Sequence, residues 1–246
     1  MADYSGGKGG GPRPRFGNKT SEEHEVRKPV KLYDLSQPLF HNCPGWAEYK
    51  PARINHDYNI AVHGFNAEYI ACNTHTATHL DVPYHFFKDG KTVEQVPLDG
   101  YAGEAAFLDL RGLKPDTSIG IDLLEPLMTG IEGAEIAIIN TGWWKKAAWT
   151  HEYVHAWPYL DGPGAELLAK SGVKAVGCDT ISLGGWGSPE KGRPCHEVLL
   201  GADIIIIEEL RIPDELMDGR RLWVSAFPIL LPGCGGAMVR AVGYEF

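Results

Sequence analysis

Between residues 73 and 85 the chain reads Asn73-Thr74-His75-Thr76-Ala77-Thr78-His79-Leu80-Asp81-Val82-Pro83-Tyr84-His85. Three imidazoles and one carboxylate, in the order H-x3-H-x-D-x3-H, restrict the backbone here more than any other stretch does. Histidine supplies only 10 of 246 residues, so this ordered foursome arises by chance in roughly one such chain in a thousand. Neutral imidazole and carboxylate are ligands that borderline divalent metals such as zinc or manganese accept. On a helix His75 and His79 share a face, but Asp81 points to nearly the opposite side. On a strand all four share a face, but His75 and His79 stand about 13 Å apart. Neither regular form brings His75, His79 and Asp81 to within ~2 Å of one ion. The segment is therefore expected to bend in a tight turn after a strand, with Pro83 keeping the exit extended. The plain alternative is a polar, His-rich loop without an ion; a bent backbone so dense in ligands is costly to build on those terms.

The motif H-x-A-T-H-x-D-x-P-x-H resembles the H-x-G-T-H-x-D-x-P-x-H of the kynurenine formamidase family. These are also called cyclase-family metal-dependent hydrolases, a group that includes isatin hydrolases. The resemblance covers most of the chain after about residue 29. It continues in Asp34-Leu35-Ser36-Gln37-Pro38-Leu39, in Thr141-Gly142-Trp143 and in Gly177-Cys178-Asp179-Thr180-Ile181-Ser182. Ala77 departs from it, standing where the family usually has glycine. If that position needs φ > 0, alanine costs about 1 kcal/mol there.

Length and composition bound the rest. With 43% hydrophobic and 22% charged residues the chain reads as a globular enzyme. A net charge of −9 provides no basic field for a nucleic-acid partner. No apolar run approaches the ~20 residues of a membrane span and no signal-peptide pattern opens the sequence. Five scattered cysteines, an odd number, do not make a disulfide framework. These features lead us to expect a reduced, cytoplasmic protein with no membrane partner.

Residues 1–28 are rich in Gly, Lys, Arg and Glu, and are expected to form a flexible tail ahead of a hydrolase domain over 29–246. A strand-like run from Ile60 to Cys72 leads into the ligand turn. Buried strands are expected at 105–110, 135–140, 173–178 and 202–208, the last with four consecutive isoleucines buried on both faces. Two more are expected at 221–227 and 237–242. Asp122 and Glu125 suggest a capping box for a short helix, and residues 164–171 a helix closed by Gly172. Strands outnumber helices, which predicts a single-domain α/β fold with a central, mixed, partly barrel-like sheet and flanking helices. The resemblance implies the swivelling β/β/α type.

His151-Glu152-Tyr153-Val154-His155 spells H-E-x-x-H, the zinc-protease signature. That motif needs a helix of several turns, and Pro158 stops this one after about one. It is refused as a metal site and read as a substrate-side loop made aromatic by Trp143, Trp144, Trp149 and Trp157.

His196 and Glu208 are the distal candidates for further ligands. A carboxylate after four buried isoleucines is costly unless paired or metal-bound. The resemblance implies that Asp81 bridges two ions, with His196 and Glu208 on the second. The alternative is an ion pair of Glu208 with Arg211 or Arg240. Isatin hydrolases use one manganese ion, so one or two divalent ions per chain, zinc or manganese, are both open. His85 is assigned as general acid/base, titrating near neutrality, with a ligand or ligand-orienting role as its alternative. Trp46, in the region that covers the pocket in the family, and Trp143 are the candidate substrate-facing rings; Trp46 is otherwise a half-buried surface aromatic.

The chemistry expected is hydrolysis of an aryl formamide C–N bond by water activated at the ion. Its rivals are opening of a cyclic amide, imide or lactone and a catalytically silent, metal-stabilised binding protein. The resemblance further implies a small aromatic or cyclic amide as substrate and a homodimer or homotetramer.

Overall fold

The computed structural model describes residues 27–246, so nearly all of the tail expected over 1–28 lies outside the described residues. Nine strands form one sheet: β1 (Lys31–Asp34), β4 (His79–Asp81), β5 (Ala102–Asp109), β7 (Ile136–Asn140), β9 (Ala175–Cys178), β10 (Ile205–Glu208), β11 (Leu222–Ser225), β12 (Gly236–Met238) and β13 (Val242–Glu245). Two small sheets pair β2 (Arg53–Tyr58) with β3 (Ala67–Ala71) and β6 (Ser118–Ile119) with β8 (Tyr159–Leu160). In the large sheet the order is β1-β13-β11-β5-β7-β9-β10-β4-β12. Its centre, β5-β7-β9-β10, is parallel, and both flanks are antiparallel. The result is a single α/β domain around a mixed, curled sheet flanked by helices.

Two-sided burial of the parallel centre follows from the period-2 alternation of side chains. On β7, Ala137 and Ile139 face a core shared with the helices Gly162–Lys170 and Pro194–Gly201. Ile136 and Ile138 face the other core, inside the curl. The isoleucine run divides the same way, Ile204 and Ile206 to the helix side and Ile205 and Ile207 to the inside.

Several sequence expectations need correction. The run 60–72 is not one strand: Ile60–His63 forms a helical turn at the tip of the β2–β3 hairpin. That hairpin has no fully buried residue, and it exposes Tyr58, Ile60, Val62, Phe65, Tyr69 and Ile70. The run 237–242 splits into β12 and β13, which pair at distant positions of the sheet. The capping box does not form, because the helix Ile121–Leu124 starts after Gly120, which has no side chain to cap it. The helix expected at 164–171 begins two residues earlier, at Gly162, capped by Asp161 Oδ1, which accepts from Gly164 N–H. Among the described residues no helix is long and apolar enough to cross a membrane.

Candidate metal centre

The expected bend is present before β4: residues 74–78 are irregular, and Ala77 sits at φ +55° in the left-handed region. Alanine therefore occupies a position that favours glycine. The turn folds His75 back over β4, so that the His75 and His79 rings meet edge-on with centroids 5.1 Å apart. Gly236 on β12 makes room for this, since a Cβ there would collide with the His75 ring and with the Leu80 carbonyl.

Sheet register supplies the distal carboxylate. Antiparallel pairing places Glu208 opposite His79 and Ile206 opposite Asp81. Residues directly opposite one another share a face, so His79, Asp81 and Glu208 all point to the helix side. His196 approaches from the helix Pro194–Gly201 on that side.

The ligand-type atoms of His75, His79 and Asp81 lie within 4.8 Å of one another, as do those of Asp81, His196 and Glu208. Asp81 belongs to both clusters, one oxygen to each side. Oδ1 is 2.6 Å from His75 Nδ1 and 3.6 Å from His79 Nε2, while Oδ2 is 3.7 Å from His196 Nε2. Backbone partners set two of the imidazoles. His79 Nδ1–H donates to the Ala77 carbonyl and His196 Nδ1–H to the Gly192 carbonyl, each at 2.8 Å. Both Nε2 atoms are thereby turned inward as lone-pair donors. Glu208 Oε1 accepts from Leu183 N–H at 2.6 Å and from Ser182 O–H at 3.1 Å, and lies 3.2 Å from His196 Nε2. Its Oε2 is 3.3 Å from His79 Nε2, outside hydrogen-bonding geometry.

These residues fit a divalent cation. His79 Nε2 and Asp81 Oδ2 are buried at the centre without a hydrogen-bond partner among the described residues. Native interiors rarely leave such atoms unpaired, and a cation between the clusters satisfies both.

Charge is balanced within the group. Burial opposes ionisation of Asp81, but His85, His75 and His79 outweigh it and hold the carboxyl well below the usual range. At Glu208 burial and Asp81 push upward, yet His196 and His79 prevail and hold it at about 2. Burial pulls His79 down, but Glu208 and Asp81 hold it at about 9. Glu209, a member of neither cluster, is pushed by burial up to about 8.

His85 stands outside both clusters, its Nε2 4.0 Å from Asp81 Oδ2 and its ring 4.1 Å from that of His75. Burial takes the His85 pKa down to about 4, and the nearby imidazoles add to that against the pull of Asp81.

The centre lies at the floor of a cavity of ≈ 750 Å³ walled by Trp46, Tyr49, Phe86 and Trp186. Trp143 does not line it, which corrects its assignment as a substrate-facing ring. It is buried in an aromatic core with Tyr153 and Trp157, where its indole N–H donates to the Tyr153 carbonyl at 3.2 Å. Trp186, absent from the sequence candidates, packs 4.6 Å from Trp46. Its signal was an isolated ring in the glycine run Gly184-Gly185-Trp186-Gly187. Tyr49 and Phe86 had no signal beyond proximity to the motifs.

The H-E-x-x-H stretch forms a single turn, His151–His155, and Glu152 pairs with Lys146 at 2.6 Å. No ligand cluster among the described residues contains it. Arg240 pairs with Asp34 and Arg211 lies over Trp144, so neither occupies Glu208.

Comparison with known proteins agrees with this geometry. The Cyclase family model matches residues 33–184. A kynurenine formamidase of Geobacillus thermodenitrificans is 34% identical over 209 residues, spanning 85% of this chain and 94% of that protein. A kynurenine formamidase of Bacillus cereus is 30% identical, spanning 87% and 98%. A solved structure described as a potential metal-dependent hydrolase with cyclase activity superposes with a TM-score of 0.71 at 26% identity, covering 88% of this chain and 98% of that one. Isatin hydrolase A from Ralstonia solanacearum shares the fold, with a TM-score of 0.78 at 20% identity over 88% of this chain and 92% of that one. The chain thus belongs to the cyclase family, in the kynurenine formamidase-like superfamily.

Proposed function

We propose that this protein is a metal-dependent hydrolase that cleaves the C–N bond of an aryl formamide or a related amide. The observation that carries the reading is the pair of ligand clusters sharing Asp81 at the floor of an aromatic-walled cavity. His75, His79 and Asp81 would hold one ion, and Asp81, His196 and Glu208 a second. Such an ion supplies Lewis acidity, making water a nucleophile near neutral pH and polarising a carbonyl.

The chain's own groups account for the remaining work. His85 is a neutral imidazole at pH 7, since burial keeps it low, and so accepts a proton from attacking water. Returning that proton to the departing nitrogen completes cleavage. Its position beside Asp81 Oδ2, outside both clusters, supports this role over that of a ligand. Trp46 and Trp186 offer flat apolar surface to an aryl ring, and closure of the ring against them excludes water.

A fused bicyclic amide also suits a wall of this shape, so ring opening is the second reading. Elemental analysis of the purified protein, followed by assays with N-formylkynurenine, isatin, cyclic imides and lactones, tests both. Turnover of the formamide alone supports the first reading and turnover of a cyclic substrate alone the second. No turnover with metal present would leave a metal-stabilised binding protein.

The same reading includes a homodimer or homotetramer. An isolated two-stranded hairpin is marginal in water, and β2–β3 carries six exposed large apolar side chains that a second subunit would cover. Sedimentation analysis decides this, and a monomer would count against it. All five cysteines are free, which supports placement in the cytoplasm.

A further inference from the structure

Thr78 lies inside the ligand turn, is 2% exposed, and has a hydroxyl that joins three separate parts of the chain. Thr78 Oγ1 accepts from Gln37 N–H at 2.7 Å and donates to the Glu209 carbonyl at 2.6 Å. The Thr78 carbonyl accepts from Val239 N–H at 3.0 Å, and Glu209 N–H donates to the Thr180 carbonyl at 3.0 Å. Thr78 is thus tied to the segment after β1, to the residue after β12 and to the residue after β10, which is itself bonded to the loop after β9.

The sheet register shows what this bond replaces. Glu208 pairs with His79, so the next rung of the β10–β4 ladder would pair Glu209 with Thr78. The ladder stops there, because the backbone turns left-handed on both sides, at Ala77 (φ +55°) and Glu209 (φ +54°). Two non-glycine residues in that region within one contact store strain, which persists only where the surroundings over-determine it. Among the described residues the Thr78 hydroxyl makes the one side-chain hydrogen bond across the gap, and it links the residue before His79 to the residue after Glu208.

We infer that Thr78 is a positioning residue whose hydroxyl holds the two ligand clusters at the separation that a shared Asp81 requires. The inference rests on the metal-site reading above. Without the bond, the strained residues on either side relax and the His79 and Glu208 segments part. The donor atoms then keep their identity but lose their spacing. A methyl in place of the hydroxyl keeps the volume and removes both hydrogen bonds.

The test is zinc affinity of the full-length protein by competition with a chromogenic chelator, with melting temperatures recorded with and without zinc. Thr78→Val is expected to weaken zinc binding about 10–100-fold, the usual effect of removing support behind a ligand. Thr78→Ser, which retains the hydroxyl, is expected to bind like the wild type. A purely structural threonine would lower the melting temperature equally with and without zinc and leave affinity unchanged. That result with Thr78→Val overturns the inference, as does a serine variant as weak as the valine one. Should Thr78→Val fail to fold, Thr78→Ala, which also lacks the hydroxyl, is measured in the same two assays and is judged by the same outcomes. A wild-type protein that binds no divalent ion would instead sink the metal-site reading itself.

Discussion

Replacing Ala77 with glycine probes the strain in the ligand turn, and its outcome follows from three opposing contributions. Ala77 is held at φ +55°, where an L-residue pays about 1–2 kcal/mol relative to glycine. Relief of that strain favours the glycine variant. Against it, the alanine methyl is buried, and its loss costs about 0.8 kcal/mol. Glycine also gains freedom in the unfolded chain, which costs a further ~0.4–1 kcal/mol. The sum lies within about 1 kcal/mol of zero. Ala137, equally buried at 0% exposure but in the regular strand β7, is the control. With no strain to relieve there, Ala137→Gly should cost about 1.2–1.8 kcal/mol. Urea unfolding of both variants in the presence of a chelator, followed by tryptophan fluorescence, reads the difference as a midpoint shift at constant slope. If Ala77→Gly loses as much stability as Ala137→Gly, the turn is unstrained and the reasoning fails.

His85→Ala should lower turnover by about 10²–10⁴ while metal content, read by elemental mass spectrometry, stays that of the wild type; loss of metal would make His85 a ligand instead. Zinc affinity should rise between pH 7 and pH 9. His79, held at about 9, must give up its proton to bind, so binding is opposed below that value and eased as pH climbs through it. Calorimetry in buffers of differing ionisation enthalpy reads the released proton, and affinity independent of pH would refute the assignment. Trp143→Ala should destabilise the fold by about 3–5 kcal/mol in a denaturation experiment, as for any large buried ring. Trp46→Ala, at the cavity wall, should instead raise KM with a smaller loss of stability; an unchanged KM would remove Trp46 from the substrate surface.

The centre illustrates how ordinary sheet geometry assembles a polar site inside an apolar core. Three charged or titratable side chains share the helix-side face of β4 and β10, in line with the isoleucines that bury the rest of that face. Each is offset by a specific partner: Asp81 by imidazoles, Glu208 by Leu183 N–H and the Ser182 hydroxyl, and His79 by the Ala77 carbonyl. Burial without these partners would cost several kcal/mol per group.

What local sterics control was legible in the residues themselves. The spacing of His75, His79 and Asp81 demanded a bend because neither regular backbone brings the three together, and the bend falls at Ala77. Four consecutive isoleucines demanded burial on both faces, and Pro158 stopped the second histidine pair after one turn. Which distant side chains meet was settled only by packing. Glu208 faces His79 through a strand register that spans most of the domain, and Gly236 leaves space for His75 from a strand near the other end of the chain. Trp143 and Trp186 are the same residue type in connections between strands, yet one is sealed in a core and the other walls the cavity. Sequence specifies the conformations a segment can adopt; the face that a side chain presents depends on the elements packed around it, and those are brought together only by the fold.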